Sequence, residues 1–410
     1  MYLHLPFCFH KCHYCDFYSV VDPPGASGGD RQAAFTDALC AELRELTARH
    51  GESLSPDTIF AGGGTPTYLR AKLWDRLFGT LRDLGLLDRV AEFTVEANPE
   101  TVTPALMRRL AAGGVNRVSI GAQSFDRASL AALERWHDPD NVPRAVEASR
   151  AAGIDNLSLD LIFAVPGQTL AMLDADLDRL LELEPTHLST YGLTYEPQTP
   201  LAARLRLGRV TAVDDETERQ MYERILERLG VAGFVQYEVS NWARVESGSG
   251  KAEGGSSEQR VNADTPPSLA SDTSAFRLPP SGFQCRHNLH YWHNHDWLGA
   301  GPGAASHRGG HRWRNAPNLK AYLDAAPHPP TQDHERLDPD ARLGERLMLG
   351  LRLREGVSIT WLDANLPADD RRHAAIDEMI DIGMLERTAT HLRLTRPGLF
   401  VADSVIVKLL

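Results

Sequence analysis

From residue 2 to about residue 230 one pattern repeats: a short apolar run rich in β-branched residues, then a stretch of helical period. Strands are expected at Tyr2–Leu5, Thr58–Ala61, Glu92–Ala97, Arg117–Ala122, Asn156–Ala164 and His187–Leu193. Helices are expected near 31–49, 70–84, 104–112, 142–152, 170–183 and 214–229, where Leu, Ala and Arg recur at i, i+3 and i+4. Strand–helix alternation of this kind means parallel strands joined by right-handed crossovers. Six such units can form a partial barrel or a doubly wound open sheet. In either architecture the chemistry sits at the carboxyl ends of the strands. Cys8 follows the first strand and Gly62-Gly63-Gly64-Thr65 the second. Glu96 and Asn98 close the third, Gln123 the fourth and Thr194 the sixth, while Asp160 lies in the fifth just before Pro166-Gly167. Unusual residues from six consecutive strands converge on one point in a barrel; an open sheet strings them along an edge. The fold expected is α/β, a partial (β/α)6 barrel over residues 1–235.

The 410 residues leave room for more than a barrel. Within an extension at 236–330, residues 246 to about 281 change character. Glu246-Ser-Gly-Ser-Gly-Lys-Ala-Glu-Gly-Gly-Ser-Ser-Glu is followed by Pro266, Pro267, Pro279 and Pro280. That is linker composition, expected to form a disordered insertion. Gly299–Ser306, rich in small residues, is expected to return the chain to the barrel mouth. Residues 331–410 read as a winged-helix-like α+β module: helices near 339–353 and 368–382, then a hairpin over Leu385–Thr395 turning at Ala389-Thr390. A net charge of −12 is the wrong sign for a general phosphate binder, so no nucleic-acid partner is expected. The start does not resemble a signal peptide, and no run of about 18 apolar residues suits a membrane helix. Five cysteines, three of them within eight residues, argue against a disulfide scaffold and for a reducing compartment. The expected location is the cytoplasm.

Cys8-Phe-His-Lys-Cys12-His-Tyr-Cys15 places three thiols on one short loop. A zinc site needs a fourth protein ligand, which His10 or His13 would supply. Three cysteines can also hold an iron–sulfur cubane with one iron left open. Lone Cys40, on the apolar side of a helix, reads as core. The segment from Tyr2 through the cysteines to Phe17 resembles the opening of the radical S-adenosylmethionine (SAM) proteins related to oxygen-independent coproporphyrinogen III oxidase. Further motifs extend the resemblance: Gly62-Gly-Gly-Thr-Pro-Thr67, Glu96-Ala-Asn-Pro99, Ser119-Ile-Gly-Ala-Gln-Ser-Phe125, Asp160-Leu-Ile-Phe-Ala-Val-Pro166 and Leu188-Ser-Thr-Tyr191. It implies a [4Fe-4S] cluster on Cys8, Cys12 and Cys15, with SAM on the open iron and reductive SAM cleavage. It places Tyr2, Tyr14, Gly63, Gly64, Thr65, Glu96, Gln123, Arg135 and Asp160 around SAM. Structural roles compete with these: a tight strand exit for the glycines, an Arg135–Asp160 ion pair, simple packing for Tyr14.

Within that family the resemblance points to the HemW-type heme chaperones, which deliver heme to respiratory proteins, rather than to the coproporphyrinogen dehydrogenases. Asp16-Phe17 follows the third cysteine where the dehydrogenases carry Gly-Cys. The strand starts at Tyr2, without the N-terminal extension of the dehydrogenases. His287-Asn288-Leu289-His290-Tyr291-Trp292 matches the His-Asn-x-x-Tyr-Trp heme motif of the chaperones, and Cys285 precedes it. The implied heme-binding residues are His287, Asn288, Tyr291 and Trp292, with His287 the first choice of axial ligand and His290 or Cys285 not excluded. Residues 283–314 also hold His293, His295, His307, His311, Trp297, Trp313 and four arginines, against a single acid, Asp296. Imidazoles can ligate heme iron, aromatic faces can pack on a porphyrin and arginines can pair with its propionates. The implied partners are heme, heme-accepting apoproteins including membrane-associated ones, and an electron donor. The alternative is conversion of coproporphyrinogen III to protoporphyrinogen IX.

Overall fold

The computed structural model describes residues 1–23, 30–51, 54–245 and 282–410. The insertion expected at 246–281 lies outside the described residues. Nine strands form the main sheet, in the order Gly299–Ala300, Tyr2–Leu5, Thr58–Gly63, Glu92–Ala97, Arg117–Gln123, Asn156–Phe163, His187–Gly192, Asn241–Arg244, Phe234–Gln236. The first seven run parallel; Asn241–Arg244 pairs antiparallel with both His187–Gly192 and Phe234–Gln236. The six central strands are those expected from the sequence, in chain order, each followed by at least one helix. They form a partial barrel.

Alternation along the strands explains how one sheet serves both packing and chemistry. Leu3, Leu5, Ile59, Ala61, Phe93, Val95, Val118, Ile120, Leu157, Leu159 and Leu188 enter the apolar core shared with the outer helices. The intervening positions carry Thr58, Glu92, Glu96, Arg117, Ser119, Ser158, Asp160, His187 and Ser189, and these face the barrel interior. Several of the helices start on side-chain caps. Asp30, Thr103, Asp126, Thr169, Thr199 and Asp214 each accept the backbone N–H three residues on.

Gly299–Ser306 does not line the mouth cavity. Gly299–Ala300 pairs with Tyr2–Leu3 at the start of the first strand. A β-carbon on Gly301, at φ +101, would stand 2.3 Å from the His4 carbonyl oxygen, so the small residues admit the first strand itself rather than a ligand. The chain then builds a three-stranded antiparallel sheet, Ala305–Arg308, His311–Asn315 and Thr331–Arg336, with the helix Leu319–Ala325 between its last two strands. Neither was expected: the middle strand alternates imidazole or indole with guanidinium, the outer two are largely polar, and none alternates apolar with polar.

Beyond residue 338, helices Pro339–Leu351, Ile359–Asn365 and Arg372–Asp381 pack with a sheet ordered Val357–Ser358, His391–Leu394, Leu385–Arg387. Leu347, Leu351, Ile376, Leu392 and Val405 give this module its own core. The hairpin turns where expected, with Thr388 Oγ1 accepting the Thr390 and His391 amides. The helix Ile359–Asn365 was not read from the sequence because its seven residues are too few to show a period.

Candidate functional site

A cavity of about 510 Å³ opens at the carboxyl ends of the central strands. Cys8, Cys12 and Cys15 line it together with Tyr14, Gly63, Gly64, Thr65, Glu96, Gln123, Arg135 and Asp160. Tyr2 is not among the lining residues. Its hydroxyl stands 3.3 Å from His4 Nδ1, and its ring stacks on Phe60, which does line the cavity.

The cysteine loop is pinned by backbone. The Val20 amide donates to the Pro6 carbonyl (2.7 Å), His13 N–H to the Leu133 carbonyl (3.3 Å) and Leu201 N–H to the His13 carbonyl (3.0 Å). Cys8 Sγ lies 3.5 Å from Thr65 Oγ1. Arg135 donates from Nη1 to Cys12 Sγ (3.7 Å) and from Nη2 to the Gly121 carbonyl (2.9 Å), so it does not pair with Asp160. Burial pushes the Cys8 thiol up and the Cys15 thiol to about 11. These two sulfurs are therefore protonated at neutral pH, and binding iron displaces protons. Among the described residues no group of three His, Cys, Asp or Glu side chains is arranged to hold a single metal ion. A cubane makes no such demand, since each cysteine takes a separate iron. His10, one candidate for a fourth zinc ligand, turns Nε2 to the Glu134 carbonyl at 3.1 Å and stacks on Trp136.

Gly63 has φ +99, and a β-carbon there would lie 2.5 Å from the His4 ring. The tight strand exit is real, and it also brings Gly63 and Gly64 to the cavity wall. Gln123 ends its strand at φ +62, where the pairing register shifts between Gly121 and Gln123. A non-glycine residue in this conformation costs energy and often marks a functional position.

Two buried acids share the interior. Asp160 accepts from Ser119 Oγ (3.0 and 3.1 Å) and Ser158 Oγ (3.2 Å). Burial raises both carboxyls, and burial with neighbouring Asp160 takes Glu96 to about 8. Glu96 also accepts the Gly63 amide. Opposite them Arg135 keeps a buried Nε without a partner. A ligand bringing a cationic group to the acids and a carboxylate to the arginine fits this donor set, and SAM has those groups.

The helix Arg286–Trp292 lies on the side where the strands begin. Glu92, at the start of the third strand, accepts the amides of Arg286 (3.0 Å) and His287 (3.1 Å) and the Cys285 thiol (3.6 Å). The His287 Nδ1 meets Thr58 Oγ1 at 2.8 Å and its Nε2 meets the Tyr291 hydroxyl at 2.9 Å. The ring is buried against Phe60. Both nitrogens of the imidazole expected as first choice of axial ligand are thus engaged in holding the helix. Cys285 is fully buried, and burial pushes its thiol to about 12. Asn288 alone of the motif lines the mouth cavity. Trp292 turns away, beneath the Arg352 guanidinium.

Arg117, Ser119, Ser189 and Tyr191 also line the cavity and were not singled out. A signal was present. Buried parallel strands read as continuous apolar runs, and here polar residues recur at every second position: Arg117, Ser119; Ser158, Asp160; His187, Ser189, Tyr191.

A partial barrel with three cysteines on the loop after its first strand defines the radical SAM class, and residues 2–180 match the Radical SAM superfamily. Residues 337–401 match the HemN C-terminal domain. The heme chaperone HemW of Mycobacterium tuberculosis is 35% identical over 412 residues, spanning 100% of this chain and 94% of that one. HemW of Lactococcus lactis is 31% identical, covering 100% and 96%, and that of Bacillus subtilis 30%, covering 98% and 97%. The chain belongs to the HemW heme chaperone family. The solved structure of Escherichia coli coproporphyrinogen III oxidase superposes with a TM-score of 0.78 at 19% identity, covering 100% of this chain and 89% of that one, a likeness of fold.

Proposed function

We propose that this protein is a heme chaperone that carries a [4Fe-4S] cluster on Cys8, Cys12 and Cys15, binds SAM beside it, and delivers heme to acceptor apoproteins. The observation that carries the reading is the mouth cavity: three thiols, an arginine and two buried acids converge in a chain 35% identical to a heme chaperone along its whole length. When bound, cluster and SAM supply one-electron chemistry. The chain's own residues prepare the site. Arg135 holds Cys12 and is placed to meet the SAM carboxylate. Glu96 and Asp160 offer acceptors to the ammonium and hydroxyl groups, releasing a proton as a cation arrives. Tyr14 and Gln123 complete the wall. All five cysteines are unpaired thiols, in keeping with a cytoplasmic site of action. An electron donor is a required partner, and the acceptors include membrane-associated respiratory proteins.

Anaerobic reconstitution with iron and sulfide tests the cluster and the activity together. Wild type gains brown visible absorption and Cys8→Ala/Cys12→Ala/Cys15→Ala does not. The reconstituted protein transfers heme to an apo-acceptor. Stoichiometric zinc in place of iron removes the cluster, and sustained SAM-dependent decarboxylation of coproporphyrinogen III replaces the chaperone with the dehydrogenase.

A further inference from the structure

Large apolar side chains exposed singly on a surface need no explanation, but a group of them at one rim does. Four such residues flank the cysteine loop: Phe17, Val21, Trp136 and Leu207, with Phe17 64%, Trp136 58% and Leu207 66% exposed. Each is tied to the loop. Val21 pairs with Cys8 in a short parallel ribbon, and Lys11 Nζ donates to the Phe17 carbonyl (3.2 Å). Trp136 stacks on His10, 3.7 Å between ring centroids. Leu207 caps the helix Pro200–Arg206, whose Leu201 amide donates to the His13 carbonyl (3.0 Å). The Leu201 side chain shares an apolar cluster with Leu133, and Tyr14 and Val210 pack against it.

The same helix supplies charge. From Pro197 to Val213 there is no acid, and Arg204, Arg206 and Arg209 fall close together in that run. Arg206 and Arg209 are exposed and Arg204 is half-buried. Among the described residues none of the three forms an ion pair. The Arg209 amide closes back on the Arg204 carbonyl (2.9 Å), which keeps the group together. Lys11, on the loop itself, adds a fourth cation. Three acids are near: Asp16 and Glu196 line the cavity, and Glu134 accepts the Trp136 indole N–H (3.2 Å). On a chain of net charge −12 this rim runs against the balance of the whole.

Resting on the cluster assigned to Cys8, Cys12 and Cys15, we propose that this rim is the docking surface for a small acidic electron-transfer protein carrying a flavin or an iron–sulfur centre. The arginines steer an acidic face onto the loop, and the apolar side chains form the dry centre of the contact. One electron passes from the partner's reduced centre to the oxidised cluster, so the partner is oxidised as the cluster is reduced. Charge decides the class of partner. An acidic protein is repelled by most of this molecule and attracted at the rim, and such steering acts on the rate of encounter.

The probe is flavodoxin, an acidic flavoprotein, with anaerobically reconstituted full-length protein. Biolayer interferometry reads binding, and stopped-flow absorption reads cluster reduction by flavodoxin hydroquinone. Wild type binds, and its association slows as salt rises. Arg204→Glu/Arg206→Glu/Arg209→Glu associates about tenfold or more slowly at low salt and loses most of the salt dependence. Leu207→Ala weakens binding and leaves the salt dependence in place. Arg89→Glu/Arg387→Glu/Lys408→Glu makes the same change in net charge away from the rim and behaves like wild type. Dithionite, which needs no docking, reduces the cluster to the same extent in all four proteins, and melting temperature and iron content verify fold and cluster. Equal binding and reduction in the arginine variant and the control overturns the docking surface while the cluster stands. A wild type reduced by dithionite that binds no flavodoxin has the same meaning. A wild type that takes up no cluster overturns the cluster reading instead.

Discussion

Glu96 and Asp160 are buried in the interior of the barrel, and burial outweighs the pull of neighbouring Arg117 on both carboxyls. Folding raises Glu96 from about 4.3 in the unfolded chain to about 8. Between those values the native state binds more protons than the unfolded state, so stability falls as pH rises through the window and is flat below it. Glu96→Gln keeps an acceptor for the Gly63 amide and removes the charge. In cluster-free protein the two melting temperatures are expected to be close near pH 5, with the variant increasingly the more stable toward pH 8. Thermal melts across this range decide the matter, and parallel curves would mean that Glu96 is ionised in the empty site. SAM binding should pull the same way: a bound ammonium favours the carboxylate, so affinity increases with pH over that interval. Buried acids are stabilising only once the ligand arrives, which couples filling of the site to the firmness of the barrel.

The element that most repays attention is the helix Arg286–Trp292. Seven residues cannot hold a helix alone, and this one is held from outside. Glu92 takes its first amides and Thr58 takes the His287 ring. Glu92→Ala leaves buried donors without a partner and takes one of the acids beside Arg117, fully buried nearby, away from it. The expected cost is about 3 kcal/mol or more, read by denaturant unfolding, and Glu92→Gln should lose less. Cys285, fully buried in wild type, should begin to react with a thiol reagent when Glu92 is removed. An unreactive Cys285 in Glu92→Ala would show that other contacts hold the helix. This element also marks where sequence reading stops. The strands were legible because Leu, Val and Ile alternate with the polar interior, and the cysteine loop because three thiols at that spacing have few uses. The helix was legible as a motif but not as a structure. Nothing local says that His287 is satisfied by Thr58, 229 residues away, for burial and hydrogen bonding are decided by the packed chain. The small sheet escaped for a related reason: its strands are largely polar and carry no apolar alternation to read.

At the scale of the whole molecule two apolar cores meet, one under the barrel and one in the C-terminal module, with Tyr222 packed against both. Polar contacts do much of the joining. Glu345, buried in the module's first helix, accepts from Asn294 (2.9 Å) just past the motif helix and from Arg312 of the small sheet. Arg346 donates to the His293 carbonyl. The Val239 amide meets the Arg352 carbonyl (3.1 Å) and the Arg354 amide the Tyr237 carbonyl (3.0 Å). The module thus grips the exit of the motif helix and the last turns of the barrel together. Glu345→Ala removes a carboxylate that answers two donors from two elements. Arg312 keeps Glu335 at 3.7 Å, so the loss is partial, about 1–3 kcal/mol. The larger effect should be on cooperativity. Two cores joined mainly by polar contacts unfold as one while the joint holds, and separately once it is weakened. Calorimetry of wild type is expected to give one transition, and Glu345→Ala a broadened or split one with the module melting first. A single sharp transition at an unchanged temperature would show that Tyr222 and the backbone bridges suffice to couple the two cores.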